Sequence, residues 1–260
     1  MIDAIISLGI VFIIMVIYIA VAIKKKINLL QLSCILVFLL IVMFILLSRF
    51  RKLTPKQLAF VHTKLKSMLT RFTSVMHKHR YNYFMIGGTL LGCIREGDII
   101  SHDDDIDLAM MKDELDIMLS DHNLIKDLEN NNLKISKPRP LIGMCFKIRN
   151  IKNESIFDKS RIFIDLFSYS KFKSSIDNNH IIHYTNRRPR KKWVNSFFYE
   201  HELYPLQIMY LDNIPVFSAY HPIPYLERHY GKDWMIPRWT HTHSVYLNLN
   251  KNCYGECFLF

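Results

Sequence analysis

Apolar positions along the chain fall into three regimes. The first is continuous. Ala4 to Ile23 and Ile27 to Leu47 carry no charged residue, and only Lys24, Lys25 and Lys26 separate them. Each run is long enough to cross a hydrocarbon core of ~30 Å as a helix. Residues 1–52 are therefore expected to form an N-terminal transmembrane helical hairpin, making this an integral membrane protein. The orientation signals compete: the lysine turn favours an extracytoplasmic (lumenal) folded part, and Arg49, Arg51 and Lys52 favour the reverse.

The second regime has helical period. Leu58, Val61, Leu65, Met68, Leu69 and Phe72 share one face, behind a Thr54-Pro55-Lys56-Gln57 start signal. This predicts an amphipathic helix from Pro55 to about Lys78, a linking element over residues 53–80. The third regime, residues 81–260, mixes periods. Strands are expected in Tyr81–Gly88, Ile106–Met110, Met144–Asn150 and Arg161–Tyr169, with helices over Thr89–Glu96 and Lys112–Asn131. Ser170–Asn179 is polar and reads as a loop. Alternation of strands and helices points to an α/β (α+β) domain, a mixed sheet with flanking helices.

One stretch breaks the apolar pattern of that domain. Asp103, Asp104, Asp105 and Asp107 stand within five positions, directly before apolar Leu108 and Ala109. On a strand, Asp105 and Asp107 point to one face and Ile106 and Leu108 to the other. Paired carboxylates on one face repel unless a cation neutralises them. Mg²⁺ or Mn²⁺ does so with oxygen ligands, sharing itself with substrate phosphates. The Gly87-Gly88 turn just upstream lets a phosphate approach the backbone. A third carboxylate, Asp165, sits alone among Phe163, Ile164, Leu166 and Phe167. A lone aspartate in an apolar strand is costly unless paired, so it is expected to complete the metal site with Asp105 and Asp107. The competing reading is a structural calcium loop. Aspartates at alternate positions suit one, but Leu108 stands where the turn glycine belongs.

The ordered run from Gly87 to Asp107 resembles the LicD family, which includes bacterial phosphocholine transferases and fukutin-type proteins. Gly88-Thr89-Leu90-Leu91-Gly92, Arg95, Gly97 and Asp103–Asp107 carry the likeness. Pro205-Leu206, Tyr225-Leu226, Tyr230-Gly231, Asp233-Trp234-Met235 and Pro237 extend it. Ser101-His102 departs from the family's pattern before the aspartates. The resemblance implies a nucleotidyltransferase-like fold. It also implies metal-dependent transfer of a phosphorylated group from a nucleotide-activated donor, CDP-linked in the first instance, to a glycan hydroxyl. Asp105, Asp107 and Asp165 are then the metal-binding and catalytic residues. Arg95, at a family position, is the stronger candidate for donor binding beside the Gly87, Gly88 and Thr89 turn, and Lys147, which shares a strand face with Arg149, is expected to meet a phosphate. Asp103 and Asp104 orient that set or cap the turn.

Composition adds two points. The formal net charge is +11, with Arg187, Arg188, Arg190, Lys191 and Lys192 clustered in one segment. Such a cluster suits nucleic acid, anionic lipid, a phosphorylated ligand or a solvated loop, and of these partners nucleic acid is the least expected. The five cysteines are scattered and do not read as a disulfide framework. His241, His243, Cys253 and Cys257 could form a zinc site, but their spacing is loose and surface residues are the expected reading. The alternatives to an enzyme are a non-catalytic binder of glycan or nucleotide using the same pocket, and a membrane-attached nucleic-acid-binding protein.

Overall fold

The computed structural model describes Ser33 and residues 37–41, 53–138, 144–152, 162–174 and 179–237. The chain divides into two units, Met1–Thr54 and Pro55–Phe260. The transmembrane hairpin expected in front of the domain is corrected. Among the described residues no helix is long and apolar enough to cross a membrane. Apart from Ser33 and residues 37–41, the two apolar runs lie outside the described residues. What stands is a mixed α/β domain in the second unit.

That unit opens with α1 (Pro55–Lys78), whose face Val61, Leu65, Met68, Leu69, Phe72 and Met76 is fully buried. The helical spacing read in the sequence thus marks the face that packs. Among the described residues the central sheet has seven strands. Five follow the order β1 (Phe84–Met85), β2 (Ile106–Met111), β5 (Ile164–Lys173), β4 (Phe146–Asn150), β3 (Leu133–Ser136). β6 (His180–Tyr184) pairs with β5, and β7 (Phe198–Tyr199) with β6. β2 and β5 run parallel; the other pairs are antiparallel.

The parallel pair positions everything that follows. Ile106, Leu108, Ile164 and Leu166 are fully buried, which fixes the register, because a one-residue slip would drive the charged positions into the core. In that register Asp107 lies directly opposite Asp165.

Short helices connect the strands: α2 (Gly87–Arg95), α3 (Lys112–Ser120), α4 (His122–Asn130), α5 (Arg187–Lys192), α6 (Glu200–Leu203) and α7 (Pro222–Tyr230). The single helix expected over Lys112–Asn131 is two. Asp121 breaks it by accepting the Asn123 and Leu124 N–H groups, a side-chain cap that starts α4. The loop expected over Ser170–Asn179 is also corrected: β5 continues to Lys173, with Lys171 and Phe172 paired to Ile182 and Ile181. A hairpin of β8 (Gln207–Leu211) and β9 (Ile214–Ser218) turns at Asp212-Asn213, both at positive φ. Lys66 on α1 ties it down, bonding Asp98 at 2.7 Å and Asp212 at 2.6 Å.

Candidate active site

Asp105 stands immediately before β2, Asp107 is its second residue, and Asp165 is the second residue of β5. Because the strands are parallel and in register, the three side chains meet on one face of the sheet. One carboxylate oxygen from each lies within 4.8 Å of the others. A second group, Asp103, Asp104 and Asp105, meets the same criterion and shares Asp105.

Crowded, half-buried carboxylates hold their protons more tightly. Burial raises Asp105 well above the usual carboxylate range, and Asp107, Asp103, Asp165 and Asp104 add to the rise. Burial also raises Asp107, followed by Asp165 and Asp103, with Lys147 opposing. Lys147 is the cross-strand neighbour of Asp165 and donates to its Oδ1 at 2.5 Å. Its ammonium also sits 3.4 Å from the Phe163 ring centroid. Three hard oxygen donors from a rigid pair of strands, repelling one another and only partly balanced by one lysine, could hold a divalent cation.

The glycine turn stands beside this face. Gly87 has φ +55°, where a side chain is strained, and a Cβ there would lie 3.1 Å from Asp107 Oδ2. At Gly88 a Cβ would come within 2.5 Å of Asp103 Oδ2. The missing side chains therefore bring the start of α2 against the carboxylates. Two hydrogen bonds lock the turn to β2. Asp107 N–H donates to Thr89 Oγ1 at 2.7 Å, and Ile86 N–H donates to the Asp107 carbonyl at 3.2 Å.

The other sequence candidates are placed as follows. Gly87, Gly88 and Thr89 form the turn itself. Lys147 is paired to Asp165. Arg95, at the end of α2, is turned into the fold: its guanidinium bonds Glu96 at 2.6 Å and the Trp234 carbonyl at 3.3 Å, and its side chain is 8% exposed. In the basic segment, Arg190 donates to the Tyr184 and Thr185 carbonyls and lies over Phe172. Arg187, Arg188, Lys191 and Lys192 are exposed. His241, His243, Cys253 and Cys257 lie outside the described residues.

Sequence reasoning missed two supports. His62 on α1 donates from Nε2 to the Asp103 carbonyl at 2.8 Å. Tyr225 on α7 accepts the Gly87 N–H at 3.0 Å. His62 carries no local signal, and Tyr225 carries only its place in the family-like Tyr225-Leu226 pair; each reaches the site from a distant part of the chain. Cys145, buried just before β4, is a third neighbour; burial, then the Asp165 carboxylate, pushes its thiol up and keeps it protonated.

Comparison with known proteins bears on this arrangement. A family described as LicD/FKTN/FKRP, nucleotidyltransferase domain, matches residues 80–218. An uncharacterized protein of Rickettsia prowazekii is 30% identical over 173 residues, 66% of this chain and 53% of its own. Another of Rickettsia typhi is 27% identical over 173 residues, 66% of this chain and 45% of its own. The lipopolysaccharide cholinephosphotransferase LicD of Haemophilus influenzae is 27% identical over 107 residues, 40% of each chain. The chain thus spans about half the length, or less, of these curated relatives. The matched stretch holds the glycine turn and all three converging carboxylates, and it covers more than half of the sequence: this chain belongs to the LicD family.

Proposed function

We propose that the domain transfers a phosphorylated group, phosphocholine or a sugar or alditol phosphate, from a nucleotide-activated donor to a glycan hydroxyl, with Mg²⁺ or Mn²⁺ held by Asp105, Asp107 and Asp165. Membership of the LicD family suggests a transferase of the phosphocholine type. The printed function of the Haemophilus relative, a lipopolysaccharide cholinephosphotransferase, supports phosphocholine as the group and a glycoconjugate as the acceptor. The observation that carries the reading is the convergence of carboxylates from two parallel strands beside a glycine turn.

When bound, the ion neutralises charge that builds on the donor's diphosphate as the phosphoryl group leaves. The protein's residues supply position. β2 and β5 hold Asp107 and Asp165 at fixed spacing, so the carboxylates need not rearrange. Gly87 and Gly88, lacking side chains, let the start of α2 stand directly against the Asp107 and Asp103 carboxylates. Lys147 steadies Asp165 and places one positive charge at the rim.

The test is nucleotide release by the purified full chain from CDP-, UDP- and GDP-linked donors, with and without Mn²⁺. One donor class should be consumed only with metal, and Asp107→Asn should cut that rate by roughly 100-fold or more, in line with loss of a metal or its electrostatic role. Binding of a nucleotide without any release would instead favour a non-catalytic relative. Release that is indifferent to both EDTA and Asp107→Asn would end the proposal.

A further inference from the structure

The glycine turn is held from behind by a run of buried hydroxyls. Tyr225 Oη accepts the Gly87 N–H at 3.0 Å and lies 2.8 Å from Ser196 Oγ. Ser196 is fully buried; its Oγ lies 3.4 Å from Tyr184 Oη, and Tyr169 Oη donates to its carbonyl at 3.2 Å. The Tyr225 ring is itself fully buried, stacked on Phe198 with centroids 4.2 Å apart and planes 7° apart, with His229 at 5.6 Å on the same helix. A ring held between two others cannot swing, so its hydroxyl is a fixed point.

Gly87 is the first residue of α2, and the N-cap before it, Ile86, has no side chain able to accept. The first N–H groups of a helix have no partner within it. Here a phenol oxygen 138 positions along the chain takes one of them. Gly87 is also where the backbone is at positive φ and a methyl would meet Asp107. The turn is therefore fastened on two sides, to Asp107 through Thr89 and Ile86, and to α7 through Tyr225. Tyr225 lies beyond the matched residues 80–218, within the Tyr225-Leu226 pair that extends the likeness.

We propose that Tyr225 is a positioning residue: its phenol oxygen sets the orientation of the Gly87-Gly88 turn and so the spacing between that turn and the Asp105–Asp107–Asp165 carboxylates. This rests on the proposed transfer reaction and deepens it, by naming what fixes the geometry in which donor and ion would be received. The competing role is purely structural, a buried hydrogen bond whose loss lowers stability and nothing else. Tyr225→Phe keeps the stacking and removes the oxygen. Ser196→Ala removes the other partner of that oxygen and leaves the bond to Gly87 in place.

The experiment compares the full chain, Tyr225→Phe and Ser196→Ala in three measurements: amide hydrogen exchange of the peptide containing Gly87, Mn²⁺ affinity, and donor kcat and KM. Tyr225→Phe should exchange faster at Gly87, bind Mn²⁺ about 10-fold more weakly and lose about 10-fold in kcat, the scale seen when groups behind metal ligands are removed. Donor KM should change far less. Ser196→Ala, even at a matched melting temperature, should stay close to the wild type in all three. Should Tyr225→Phe not fold, 2,3-difluorotyrosine at position 225, which keeps the hydroxyl but weakens its oxygen as an acceptor, carries the same comparison. Unchanged exchange at Gly87 overturns the inference, and so does faster exchange with Mn²⁺ affinity and kcat intact. If the wild type itself binds no Mn²⁺, the metal reading falls separately, and Gly87 exchange with the rate of nucleotide release still decides the role of Tyr225.

Discussion

At Gly88 an added methyl would meet the tip of Asp103, Oδ2, at 2.5 Å; at Gly92 it would meet the Asp98 carbonyl at 2.5 Å and the Ile100 N at 3.1 Å. The two clashes are equally close and differ in what can give way. A carboxylate can rotate, and backbone cannot. Gly88→Ala should therefore fold with a near-normal melting temperature but lose about tenfold or more in transfer, because Asp103 and the helix start move apart. Gly92→Ala should lose about 1–3 kcal/mol of stability, the usual cost of overpacking. Urea titration alongside a donor-release assay checks both, and equal stability losses would contradict the distinction. This scale was partly legible in the sequence. Alternation exposed Asp105 and Asp107 as a pair, and an apolar setting exposed Asp165, because a charge in a buried strand is conspicuous. Lys147 drew attention as a phosphate ligand, whereas its cross-strand position opposite Asp165 makes it a partner of the carboxylate first. His62 gave no local sign, since a histidine in an amphipathic helix looks like any other packed residue, and Tyr225 stood out only within the family-like Tyr225-Leu226 pair, which does not tell its role.

At the scale of elements, β6 carries an anomaly. His183 is 3% exposed and flanked by Tyr169, Tyr184 and Phe197, and its ring nitrogens face the Val194 and Ser196 backbone without a well-aligned hydrogen bond. Burial, then the nearby Arg190 and His229, lowers its pKa from 6.5 to about 3. The folded state thus keeps it neutral where the unfolded state protonates it. Stability contributed this way is present above the ordinary histidine value and is lost as pH falls from about 6.5 toward 3. His183→Phe should flatten that acid limb, gaining on the wild type by up to a few kcal/mol between about pH 7 and pH 4. Denaturation midpoints across that range measure it, and parallel curves for the two proteins would contradict it. The sequence missed β6 altogether. Its residues follow the polar stretch read as a loop, and only the pairing of Phe172 with Ile181 shows β5 running on through alternating Lys171, Phe172 and Lys173. Likewise the break at Asp121 was hidden inside a continuous helical period, because a cap is a backbone event that periodicity does not register.

For the molecule as a whole, an acidic site sits in a chain of net charge +11. Such a field favours approach of anionic, phosphorylated ligands and keeps the repelling carboxylates the local exception. The family and the mixed α/β class were legible because the motif run from Gly87 to Asp107 is dense and ordered. The expected membrane hairpin rested on hydropathy alone, and among the described residues no helix meets the length and apolarity that crossing requires. The acidic site also shapes stability. Burial and mutual repulsion raise Asp105 and Asp107, so the folded state holds protons that the unfolded state releases. Without metal, stability is full below the ordinary carboxylate range and is lost as pH rises through the raised values. A divalent ion bound by these carboxylates would reverse that loss. The most direct measurement is the melting temperature of the wild type and Asp107→Asn, with and without Mn²⁺, from about pH 5 to pH 8. Without metal, Asp107→Asn should gain on the wild type as pH rises. Mn²⁺ at about 100 times its Kd should add about 2.7 kcal/mol to the wild type near neutral pH. It should add little to Asp107→Asn or at the acid end. Equal stabilisation of both proteins by Mn²⁺, or none of either, would contradict the convergence of these three carboxylates on a metal ion.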